Sequence, residues 1–189
     1  MPIQYSLSHF DANQSPLPAP ALSASVATLQ RLRDYPNVEA PVACHEAQRM
    51  GAAGELFFRS CLTGLGFDLL EFPVSSAADV GMLLGDRCIR IQIKTIVRPL
   101  NGAYQASFTR GYRNSGTGVY DYAPGDYDLG AAVLLTDQVI VYLPPTKRSS
   151  RIAVDSIPEL RRTHTDRLYQ SLADIGALGG ADIETIYTR

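Results

Sequence analysis

From Ile89 to Thr95 the chain reads Ile-Arg-Ile-Gln-Ile-Lys-Thr, apolar and polar residues in strict alternation. A period of two marks a strand with one face on a core, so Ile89, Ile91 and Ile93 share that face and Arg90, Gln92 and Lys94 the other. The strand is predicted over Arg87 to Val97, and Gly85-Asp86 joins it as a hairpin to a strand over Asp79 to Leu84. A further strand precedes them at Phe67 to Phe72. Upstream the period changes: Phe58, Leu62 and Leu65 recur at spacings of four and three, which predicts a helix from about His45 to Leu65 closed by Gly64 and Gly66. Downstream, strands are predicted at Tyr104 to Thr109, Ala131 to Leu135 and Gln138 to Leu143. Arg110 to Gly125 is too rich in Gly, Tyr and Asn for one element. A last helix over Thr165 to Leu178 turns Leu168, Leu172 and Ile175 inward. The order gives a mixed α/β or α+β domain with a central sheet.

Prolines at 2, 16, 18, 20, 36 and 41 forbid a long regular element near the start. Residues 1–44 therefore read as a Pro-rich arm or helical subdomain around a short helix at Ser23 to Arg33, and 45–189 as the main domain. At 189 residues, 46% hydrophobic and 19% charged, the chain suits a single core and excludes collagen-like, coiled-coil and wholly disordered classes. It has no 20-residue apolar run and no basic signal region, so a cytoplasmic protein without membrane attachment is expected. Cys44, Cys61 and Cys88 form no CxxC pair, and reduced thiols with packing roles are expected.

The formal charge of −2 is unevenly spread. Between Asp86 and Arg151 nine basic residues meet five acidic ones, an excess of +4, while the flanks sum to −6. This permits a polyanion-binding face in the centre.

Arg90, Gln92 and Lys94 lie either on a solvated sheet face or in a site. Asp79 opens the preceding hairpin strand, and folding the hairpin returns it beside Gln92 and Lys94. Asp79 is then either a turn residue or a ligand. A carboxylate, a Gln92 amide oxygen and the Ile93 main-chain carbonyl are oxygen donors of the kind Mg²⁺ takes, and Lys94 would stand near the reacting water. Glu55, in Gly54-Glu55-Leu56 of the helix, would approach the same point because Gly54 lets the helix lie close on the sheet. Its alternative is an i,i+4 pair with Arg59.

A helical Glu, an Asp at a hairpin start and Q-x-K on its second strand together resemble the PD-(D/E)XK nuclease superfamily. The likeness is greatest to small endonucleases that include an intron-encoded homing endonuclease, and more distant to archaeal Holliday junction resolvases. It runs from about Met50 to Pro145, through GAAGELFFRSCLTGLGFDLL, DVGMLL, CIRIQIKT and YDYAPGDYDLGAAVLLTDQVIVYLPP. The resemblance implies a central mixed β-sheet flanked by helices over 45–189. It also implies an endonuclease that hydrolyses DNA phosphodiesters by a metal-activated water. Glu55, Asp79, Gln92 and Lys94 would be catalytic, and Asp79, Gln92, Ile93 and Glu55 would hold Mg²⁺, with Mn²⁺ as its substitute. Ala78 stands where the motif has proline, and Gln92 where it has an acid, as in the intron-encoded relative.

Arg90, Arg110, Arg113, Lys147 and Arg148 are the candidate DNA contacts, with Tyr104, Tyr112, Tyr120, Tyr122 and Tyr127 interleaved. Asp126 and Asp128 read as turn residues. A homodimer or higher homo-oligomer is expected if both strands are cut. The rival reading is a catalytically impaired nuclease-fold module that binds DNA or protein.

Overall fold

The computed structural model describes residues 26–111 and 118–179. The chain divides into two units between Val38 and Glu39. In the first, residues 26–31 are helical (α1) and turns follow. The second contains α2 (Ala40–His45), α3 (Ala47–Gly64), β1 (Leu69–Glu71), β2 (Val80–Leu84), β3 (Arg87–Ile96), β4 (Ala103–Ser107), β5 (Thr109–Gly111), β6 (Val119–Asp121), β7 (Leu129–Leu134), β8 (Val139–Leu143), β9 (Ser149–Ala153), a 3-10 turn (Val154–Ser156), α4 (Ile157–Arg162) and α5 (His164–Asp174).

Five strands form the central sheet in the order β1-β2-β3-β7-β8. The first three make an antiparallel meander, β7 joins β3 in parallel, and β8 returns antiparallel to β7. The hairpin between β2 and β3 closes in two residues, Leu84 pairing with Arg87, because Gly85 takes a φ of 61° that a side chain would disfavour. Ile89, Ile91 and Ile93 pack against Phe58 and Leu62 of α3, and the same core receives Leu168 and Leu172 of α5. Full burial of each such side chain stabilises by about 1.5–3 kcal/mol, which outweighs the few tenths from a surface helix pair.

The other sheet face is covered as well. Strands β4 and β9 pair with each other and, with α4, bury Tyr104, Phe108, Ile152 and Leu160 against Ala132, Leu134 and Leu143. Covered on both sides, every residue of β7 is buried, as its unbroken Leu-Gly-Ala-Ala-Val-Leu run requires. The domain is thus mixed α/β, a central mixed sheet flanked by helices.

Several elements depart from expectation. The helix predicted from about His45 to Leu65 is α3, and a short helix that was not expected, α2, precedes it, with Pro41 in its first turn and a break on Glu46 (φ −98°, ψ 22°) after it. Leu65 lies at the end of α3 and is partly exposed, so Phe58 and Leu62 carry the buried stripe. The Arg110 to Gly125 stretch contains the short β5–β6 pair. Strand β9 and α4 were not expected at all. Cys44 and Cys88 are exposed, and Cys61 alone packs on the core. Among the described residues no helix is long and apolar enough to cross a membrane.

Candidate functional site

The site forms where β2 begins and the sheet opens. Pairing with β3 starts at Val80 and Ile91, so the N–H of Ile93 lies beyond it. Asp79 supplies the missing acceptor: its Oδ2 takes the Ile93 N–H at 2.6 Å, while its own N–H donates to the Ile91 carbonyl at 2.9 Å. The same Oδ2 accepts from Gln92 Nε2 at 2.7 Å, and that nitrogen also donates to the Ile93 carbonyl at 3.1 Å. Gln92 is only 5% exposed, so this face of β3 is not a solvated one. Its amide nitrogen, rather than its oxygen, stands between the two oxygens expected to serve a cation.

Lys94 is partly buried on the same face, and its Nζ donates to the Tyr122 hydroxyl at 3.2 Å. Two cations stand over the Tyr122 ring, Nζ 5.4 Å and the Arg110 guanidinium 5.5 Å from its centroid. Burial pushes the Lys94 ammonium below its ordinary range. The Asp79 carboxylate opposes the shift, Arg110 adds to it, and Glu55 opposes it.

Glu55 arrives on α3, which meets β3 at Gly54. A Cβ on Gly54 would sit 2.0 Å from Thr95 Oγ1, whose hydroxyl donates to the Gly51 carbonyl at 3.3 Å. Arg59, the alternative partner on the helix, pairs instead with Glu71 of β1. Burial, then the charge of Asp79, raises the Glu55 carboxyl against Arg59 and Lys94. Asp79 is raised by burial against the Ile93 N–H, Lys94 and Arg59. Both shifts run in the direction that an added positive charge would reverse.

All four expected residues, with Ile93, line one cleft of about 1280 Å³. Among the described residues no three His, Cys, Asp or Glu side chains gather as a metal cluster. The donors are two carboxylates, the Ile93 carbonyl and, after a half-turn of its amide, the Gln92 oxygen. This hard-oxygen set fits Mg²⁺, which keeps water in its remaining positions.

The candidate DNA contacts are dispersed. Arg90 gives Asp128 two guanidinium bonds, at 3.1 and 2.8 Å, and its main-chain N–H a third at 2.8 Å. Arg148 pairs with Asp121 at 2.9 Å, and Arg110 stands 4.0 Å from Asp126. Lys147 is exposed, and Arg113, like Tyr112, lies outside the described residues. Tyr104 and Tyr127 are buried, Tyr104 donating to Asp137 at 2.5 Å, so two of the five tyrosines belong to the core and cannot meet a duplex. Asp126 accepts the Ala123 N–H at 2.9 Å and, with Asp128, has a structural partner as expected.

Sequence reasoning missed two features. Tyr122 was considered for DNA contact, not as the partner of Lys94, since nothing local signals a bond across 28 positions. His45, Glu46 and Arg49 also line the cleft; they fall at the start of the predicted helix, where nothing local marks them as site residues.

No family model and no curated protein matches the chain. A solved structure of a bacterial homing endonuclease aligns with a TM-score of 0.49 and 13% identity, over 56% of this chain and 77% of that one.

Proposed function

We propose that this protein is a metal-dependent DNA endonuclease of the PD-(D/E)XK type. The observation that carries the reading is the meeting of Asp79, Gln92 and Lys94 at the open end of β2 and β3, with Glu55 brought in by the Gly54 contact. Asp79, Glu55, the Ile93 carbonyl and the Gln92 amide oxygen would hold Mg²⁺ or Mn²⁺. When bound, the cation supplies Lewis-acid charge at the phosphate and makes water a better nucleophile. Tyr122 holds the Lys94 amine in place, and burial eases loss of its proton, so Lys94 can orient or deprotonate the attacking water or offset charge on phosphate oxygens.

A second reading, a nuclease-fold module that binds DNA or protein without cutting, is favoured by the Gln92 nitrogen lying where a cation's ligands face one another. Incubation of plasmid, linear, branched and single-stranded DNA with Mg²⁺ or Mn²⁺ separates the two. Under the first, Lys94→Ala keeps DNA binding within about tenfold and loses at least about a hundredfold in cleavage. Calorimetry should also show cation binding that weakens in Asp79→Ala. No cleavage of any substrate, with no cation bound, leaves the second reading standing. Cutting of both strands calls for a homodimer, which light scattering on the bound complex would detect.

A further inference from the structure

We propose that Arg49 is a phosphate-binding residue of this cleft, held in position by Glu46, and that its ligand is a backbone phosphodiester of the nucleic acid other than the one beside Lys94. The proposal rests on the reading of the cleft as a DNA site. Glu46 occupies the break between α2 and α3, its side chain 9% exposed, and its Oε2 accepts Arg49 Nε at 3.1 Å. A carboxylate so enclosed is retained only when paired, so it is a firm anchor. Engaging Nε leaves both Nη groups of Arg49 without a hydrogen bond among the described residues, on a side chain that is 61% exposed. A guanidinium fixed through Nε presents the other two nitrogens as a planar fork, the shape that takes two phosphate oxygens at once.

Place and contrast both support this role. Arg49 lines the same cleft as Asp79, Gln92 and Lys94, and so does His45, 3.7 Å from Glu46. Arg148 is also held through Nε, but by Asp121, itself 53% exposed, and it lines another cavity. Arg90 spends two of its nitrogens on Asp128. Arg49 lies outside the central basic segment, so its charge is no part of the +4 excess there.

Fluorescence anisotropy with a labelled duplex in EDTA, over a salt series, tests the proposal without cleavage. Arg49→Ala should weaken binding about tenfold and flatten the log–log salt slope by about one unit; it should also lower melting, since Glu46 loses a partner, so binding is read well below the melting range of both proteins. Arg49→Lys should keep the slope and lose part of the affinity, since an ammonium cannot be held by one nitrogen while offering two. Glu46→Gln, which keeps shape but weakens the anchor, should fall between. Wild-type affinity and slope in Arg49→Ala would overturn the role of Arg49 while leaving DNA binding intact. Failure of the wild-type protein to bind duplex, branched or single-stranded DNA at low salt would overturn the reading of the cleft, and this proposal with it.

Discussion

At Gln92 an amide and an acid have opposite consequences. The amide nitrogen joins Asp79 Oδ2 to the Ile93 carbonyl, which lets two oxygens sit close without a cation. In Gln92→Glu both donor bonds vanish and a second carboxylate faces Asp79. In EDTA at pH 8 we expect a loss of about 1–3 kcal/mol, and a rise in melting temperature on adding Mg²⁺ that exceeds the wild-type rise. Equal melting of the two proteins in EDTA, with no response to Mg²⁺, would dismiss the bridging role. Asp128 gives a pH signature. Burial alone would raise its carboxyl, but hydrogen bonds from the Arg90 side chain and main chain, with the Arg90 charge, hold it below the ordinary carboxylate range. A depressed carboxyl stabilises above its unfolded pKa of about 4, and the contribution is lost as pH falls through the folded value. Asp128→Asn should therefore cost about 1 kcal/mol or less at pH 7, given the exposure of the pair, and progressively less as pH falls below about 4. Urea denaturation across that range checks this; a gap that persists in acid means the charge is not the cause.

Among the elements, α3 depends on one missing methyl group. Gly54→Ala places a Cβ against Thr95, and α3 must lift from β3. Overpacking of this kind costs about 1–3 kcal/mol and should also draw Glu55 away from Asp79. Thr95→Ala removes the two closest clashing atoms, so the double variant should recover much of the loss in chemical denaturation, and simple additivity would rule out the contact as the cause. Strands β2 and β3 were legible in the sequence because alternation and a Gly-containing turn are local signals, and Asp79, Gln92 and Lys94 followed from them. The covering of Lys94's face was not. It depends on β4 pairing with β9, as in Tyr104 with Ile152, and neither strand indicates its partner. Helix α2 was illegible because Pro36 and Pro41 read as part of an arm, although Pro41 sits in the first turn of α2, where a missing N–H costs nothing.

For the whole molecule, net charge misleads. In the centre Arg90 with Asp128, Arg148 with Asp121 and Arg110 near Asp126 cancel pairwise, so the +4 excess rests on its other cations, Arg87, Lys94, Arg98, Arg113, Lys147 and Arg151. The arrangement of strands sets an order of assembly. Asp79 and Ile93 are 14 positions apart on one hairpin, whereas the β3–β7 joint brings together residues such as Arg90 and Asp128, 38 apart. Near neighbours meet first because closing a long loop is entropically slow. The corner that holds Asp79, Gln92 and Lys94 can therefore close early in folding, while the parallel joint sets the refolding rate. Refolding kinetics of Ala132→Gly should show most of its stability loss in the folding limb, and a φ-value near zero there would place the barrier elsewhere. A nascent chain would thus shape the Asp79 corner before Asp128 is there to hold Arg90.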